Sequence, residues 1–189
     1  MLSKSNIQEI INSFKKDLPK TFANEIVFAF LCGSLSKGKI SENSDIDMFI
    51  CLNKRNGTKI KDFLSWYKSI HKKYRLKPDC KFPGEVMTLD TLDEAIKNVL
   101  ESSPQLAANN TELEDGLIWI GMLSGKNKGF IGKKYQFLKR KKVTDIIIKK
   151  WHGQFLKDIK VKELDIIFKK LTQFYKSYDE PRRHMPKIK

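Results

Sequence analysis

Four residues carry the clearest chemistry in this chain: Gly33, Ser34, Asp45 and Asp47. The two aspartates flank a single apolar residue, Ile46, at the start of the run Ile46 to Leu52. In an extended strand residues two apart share a face, so both carboxylates point the same way. Like charges so placed repel each other unless a cation sits between them. A hard divalent ion that takes oxygen ligands, Mg²⁺ or Mn²⁺, suits that position. The Gly33-Ser34 pair supplies the complement. Glycine lets the backbone approach a phosphate closely, and backbone N–H groups with a serine hydroxyl can hold its oxygens. One half of the stretch suits a metal, the other a phosphate.

Two strands must position these groups. Residues 26–32 form a continuous apolar run of strand length that ends at Gly33, and 46–52 form a second. The polar segment between them, Ser34 to Ser44, begins as a short helix or turn. Lys37 and Lys39 lie in it, and two readings stand level: solvation of a loop, or contact with a chain of phosphates. Ser36 and Ser44 read as turn and strand-entry residues that bond nearby backbone.

Gly33-Ser34, ten intervening residues, then Asp45-Ile46-Asp47-Met48 resembles the signature of the polymerase-beta-type nucleotidyltransferase superfamily. The motif covers residues 28–50. A fainter similarity to small antibiotic nucleotidyltransferases runs through Glu85-Val-Met-Thr-Leu89. The resemblance implies an α+β fold, a small mixed β-sheet flanked by helices, with a C-terminal helical region. It implies a nucleoside triphosphate substrate, gripped at its β- and γ-phosphates by Gly33 and Ser34, and Mg²⁺ or Mn²⁺ held by Asp45 and Asp47. It also asks for a third carboxylate on a neighbouring strand. Glu85, which opens the apolar strand Val86 to Leu89, and Asp79 are the two candidates, and Glu85 is preferred. The implied reaction moves a nucleoside monophosphate to an acceptor hydroxyl on a small molecule, an RNA 3′ end or a protein. The alternative is a catalytically degenerate protein of the same fold that binds nucleotide or RNA.

A chain of 189 residues fits one ordinary domain, or a catalytic core with a helical appendage. The division expected is a core over 1–110, a helical region over 111–180 packed on it, and a basic tail over 181–189. No apolar run approaches the length that crosses a bilayer, and the N-terminus has no signal-peptide core, so a soluble cytoplasmic protein with no membrane partner is expected. The three cysteines have no zinc-like spacing; Cys32 and Cys51 sit in strand runs and read as small buried hydrophobes. The formal net charge is +15, from 37 Lys and Arg against 22 Asp and Glu. The excess is uneven: residues 126–162 hold thirteen Lys or Arg and two Asp. That tract suits an anionic partner such as RNA, although the scarcity of arginine removes the usual means of bidentate phosphate recognition.

The remaining elements follow from periodicity. Ile7, Ile10, Ile11, Phe14 and Leu18 share one helical face, and Pro19 marks that helix's end. Thr58 is placed to cap a helix through Ile60, Phe63, Tyr67, Ile70 and Tyr74, with Trp66 and Tyr67 in the core and His71 on the surface. Thr91-Leu-Asp-Glu94 and Thr111-Glu-Leu-Glu114 read as capping boxes opening two more helices, with Trp119 buried in the second. Residues 124–129 read as a turn without the context of a P-loop. From Lys133 the chain reads as helix, with Ile146, Ile147, Trp151, Phe155 and Ile159 on one face and a second apolar face from Leu164 to Tyr178.

Overall fold

The central strand is apolar on both faces, and the reason is visible in what covers it. A computed structural model describes residues 2–41, 44–78, 84–102 and 113–158. In it β1 (Ile26–Leu31) lies between β2 (Met48–Leu52) and β4 (Lys128–Gly132), and β3 (Glu85–Thr88) flanks β2, giving the order β3-β2-β1-β4. β1 pairs antiparallel with both neighbours, whereas β2 and β3 run parallel. The sheet is therefore mixed and flanked by helices, as the resemblance implies. A parallel pair needs a crossover, and α3 (Gly57–Lys73) provides it.

Helices cover both faces. α1 (Lys4–Phe22) and α3 pack with Ala29, Leu31, Met48, Ile50 and Val86 on one side. On the other, α4 (Leu89–Glu101), α5 (Glu114–Ser124) and α6 (Lys134–Asp158) cover Phe28, Phe30, Phe49, Cys51 and Met87. Strands buried on both faces lose the polar alternation of a half-exposed sheet and read as unbroken apolar runs. On the second side Phe30 stacks on Phe49 at 5.0 Å between centroids, and Phe137 of α6 meets Phe28 and Phe30 edge-on at 5.8 and 5.4 Å. Each such ring buried contributes about 1.5–3 kcal/mol relative to leaving it in water.

Several expectations are corrected by this arrangement. α1 does not stop at Pro19 but runs through it to Phe22, because Leu18 and Phe22 both bury completely and hold the last turn on the core. The cap of α3 is Asn56, whose side chain accepts from the N–H groups of Thr58 and Lys59, so Thr58 lies inside the first turn. The cap of α4 is Thr88, which accepts from the Thr91 N–H, so Thr91 is not the cap. His71 is not on the surface: it is 1 % exposed beneath the sheet. The buried side of α6 is Phe137, Arg140, Thr144 and Ile147, while Ile146 is exposed. Part of the expected turn at 124–129 belongs to β4, so a region expected to hold helices joined by a turn gives the sheet its fourth strand. Asp79, Thr111, the expected second helical face from Leu164 and the expected basic tail lie outside the described residues.

No helix among the described residues is long and apolar enough to cross a membrane.

Candidate active site

β1 delivers Gly33 and β2 receives the chain from the two aspartates, so the antiparallel pairing of these strands builds the site. The pairing extends one step past their ends: the Cys32 N–H donates to the Asp47 carbonyl at 3.0 Å. Ile46 is fully buried, whereas Asp45 and Asp47 on either side stay partly exposed, the alternation expected of an extended segment. Both aspartates sit on the lead-in to β2, not within the strand.

Gly33 takes φ +59° and opens α2, the single turn Gly33–Ser36. The Asp47 carboxylate lies directly against its Cα, so that a Cβ there would overlap the carboxylate. Only glycine permits this contact. The turn closes with the Ser36 hydroxyl donating to the Gly33 carbonyl at 2.9 Å and the Lys39 N–H donating to the Ser34 carbonyl at 2.9 Å. The Ser34 hydroxyl oxygen is buried and has no hydrogen-bond partner. A buried hydroxyl left unpaired is costly, and an incoming oxygen that could bond it recovers that cost.

Beside these residues opens a cleft of about 230 Å³. Cys32, Gly33, Ser36, Lys37 and Asp47 line one side, and Ile118, Gly121, Met122, Gly125 and Lys126 line the other. The second side belongs to α5 and the residues just after it, and sequence reasoning named none of these five for the site. Gly121 lies within α5 and Gly125 just after its end, and nothing stands within 4 Å of the position a Gly121 Cβ would take. Lys37 is part of the lining, as the phosphate reading requires, but Lys39 is not and its side chain is exposed.

The electrostatics of the site are legible in Cys32. Burial pushes its thiol well above the usual range, and the charges of Asp47 and Asp45 push it further in the same direction. The thiol is therefore held in its protonated form. Cys51, deeper in the sheet, is pushed up to about 12, mainly by burial.

Glu85 opens β3 opposite Phe49 of β2, on the sheet face that carries Asp47. It is 3 % exposed, and the Trp119 indole N–H donates to its Oε2 at 2.8 Å. Among the described residues no three His, Cys, Asp or Glu side chains form a group that could hold a metal ion. Of the expected site residues, Gly33, Lys37 and Asp47 line the cleft, Asp45 lies two residues before Asp47 on the lead-in to β2, Ser34 follows Gly33 in α2, and Glu85 accepts from Trp119. The carboxylates of Asp45 and Asp47 suit a divalent cation of the Mg²⁺ type, which is commonly bound by one or two carboxylates and completed by water and substrate phosphates.

The family model described as Polymerase beta, Nucleotidyltransferase matches residues 8–112, more than half of the chain, and the protein belongs to this nucleotidyltransferase family. Comparison with curated proteins and with solved structures gave no match. The matched span ends before α5, so the far side of the cleft is built by a segment outside it.

Proposed function

We propose that this protein transfers a nucleoside monophosphate from a nucleoside triphosphate to an acceptor hydroxyl. The observation that carries the reading is the Asp47 carboxylate seated on Gly33 at the mouth of a cleft that also holds Lys37 and Lys126. In the reaction the acceptor oxygen forms a bond to the α-phosphorus, the bond from that phosphorus to the bridging oxygen of the β-phosphate breaks, and pyrophosphate leaves. The acceptor's proton passes to a nearby base or to water. Asp45 and Asp47 would hold Mg²⁺ or Mn²⁺, which when bound offsets the negative charge of the phosphates and lowers the pKa of the attacking hydroxyl. Gly33 leaves room for the Asp47 carboxylate beside its backbone, and the Ser34 hydroxyl would donate to a phosphate oxygen. Lys37 and Lys126 face the same space from opposite sides and neutralise the leaving pyrophosphate. Ile118 and Met122 offer an apolar wall for the nucleoside. Glu85, bonded to Trp119, shapes the floor beside Asp47 in this reading, and Asp79 keeps its place as the other candidate for a third acid.

An RNA end is the favoured acceptor. Lys126, Lys128, Lys133, Lys134, Lys139 and Lys142 are all exposed on the segment that continues from the cleft wall. A polyanion is drawn to such a surface, whereas a cationic small molecule is repelled. The association of Glu85 with Trp119 supports a second reading, a degenerate protein of the same fold that binds nucleotide or RNA without transfer.

One experiment separates them. The four α-phosphate-labelled nucleoside triphosphates are incubated with the protein, Mg²⁺ or Mn²⁺ and a cell extract, then fractionated into RNA, protein and small molecules. Label in the RNA fraction that vanishes with Asp45→Ala/Asp47→Ala supports transfer to RNA. No label in any fraction, with triphosphate binding retained by the wild type, supports the second reading.

A further inference from the structure

The segment between the two aspartates is held from behind by a histidine. The backbone N–H of Ile46 donates to His71 Nε2 at 3.0 Å. An amide N–H can only donate, so Nε2 bears no proton. The ring's proton then resides on Nδ1, which lies 2.8 Å from the Tyr67 carbonyl, a group that can only accept. The imidazole is thereby neutral, fixed in one tautomer and bonded at both ends. It also lies against the Tyr67 ring, with centroids 4.1 Å apart.

Ile46 is thus anchored twice, by its fully buried side chain and by its N–H. The residues on either side take their direction from it. A rotation of the Ile46 backbone that released the bond to His71 would change the direction of both carboxylates and disturb the contact of Asp47 with Gly33. On the strand side the bond from the Cys32 N–H to the Asp47 carbonyl also opposes such a rotation.

We propose that His71 is a positioning residue for the cation-binding carboxylates: by accepting the Ile46 N–H it sets the relative orientation of Asp45 and Asp47. The inference rests on the reading that these aspartates hold a divalent cation. Groups that orient metal ligands without touching the metal commonly set its affinity.

The test uses the full-length protein with Mn²⁺ alone as probe, its binding followed by the loss of the free-ion electron paramagnetic resonance signal. Thermal melting is run alongside. Glutamine at position 71 can place an oxygen where Nε2 stands; phenylalanine fills the space without an acceptor. His71→Gln should keep Mn²⁺ affinity within roughly threefold of wild type, and His71→Phe should weaken it by about tenfold or more. Equal affinity in wild type and His71→Phe would overturn the proposal. Where the phenylalanine variant fails to fold, His71→Asn replaces it, because its shorter amide cannot reach Ile46. Loss of affinity in the asparagine variant but not in the glutamine variant supports the proposal, and equal affinity in the two overturns it. Mn²⁺ binding that survives Asp45→Ala/Asp47→Ala unchanged would refute the cation reading itself, and the role of His71 with it. Nitrogen-15 spectra of the wild-type imidazole should show the Nδ1-protonated tautomer; the Nε2-protonated form would contradict the geometry.

Discussion

At Gly33 the backbone is left-handed and a carboxylate rests on its Cα, so a methyl group there must displace Asp47. Gly33→Ala is expected to cost about 1–2 kcal/mol of stability from the backbone alone, measurable by urea denaturation. Its effect on transfer should be larger, a loss of about 100-fold, because a misplacement of about 1 Å at a reacting site is enough to cause that. A variant with normal turnover would show that the Asp47 carboxylate is free to move without consequence. Trp119→Phe removes the indole donor from the buried Glu85 and should destabilise the fold by about 1–3 kcal/mol. His71 makes stability depend on pH. Burial holds its imidazole below the ordinary value of 6.5, against the smaller opposing effect of the Tyr67 carbonyl. The unfolded chain therefore takes up a proton before the folded one does. This contribution is complete above about pH 6.5 and declines as the pH falls below it. Urea midpoints measured across that range should fall in the wild type and fall less in His71→Gln. The sequence contained the cue to this residue, since 67, 71 and 74 share a helical face; its lysine-rich neighbours hid it.

The elements most legible in the sequence were those with many apolar residues at one period. β1 and α3 were read nearly to their ends, whereas β2 starts two residues later than its apolar run and α1 runs three residues past Pro19. What failed were features set by neighbours remote in the chain. β4 offers only Phe130 and Ile131 between two glycines, too little to signal a strand, and it forms because β1 has an open edge to receive it. The cleft wall on α5 has the same character: its glycines acquire meaning only once Asp47 lies across from them. Arg140 is another case. It is 7 % exposed and grips both oxygens of Asp93 at 2.7 and 2.6 Å, tying α6 to α4 across 47 positions in sequence. Among the described residues Asp93→Ala would leave the buried guanidinium with Gln136 as its hydrogen-bond partner. Removing one member of a buried pair costs about 3–5 kcal/mol. Asp93 is 53 % exposed, so water replaces part of the loss, and a decrease of about 1–3 kcal/mol is expected in thermal or urea unfolding.

For the whole molecule, the charge excess and its concentration beyond residue 126 predict salt-dependent association with RNA. Each lysine that neutralises a phosphate on a single strand contributes about 0.7 to the slope of log affinity against log salt concentration. Lys128→Gln, Lys134→Gln and Lys139→Gln combined should therefore reduce the slope by about two. Filter binding at several salt concentrations would measure it, and an unchanged slope would place the RNA elsewhere.

β4 carries a consequence for how the chain can be divided. The span matched by the family model stops at residue 112, and a fragment cut there would keep Gly33, both aspartates and His71. It would also strip one side of β1, a strand with every residue buried, leaving its backbone amides and carbonyls without partners along an apolar ribbon. Such an edge recruits strands from other molecules. The fragment that bears the family signature should therefore be the one that aggregates, and autonomy belongs to the longer chain.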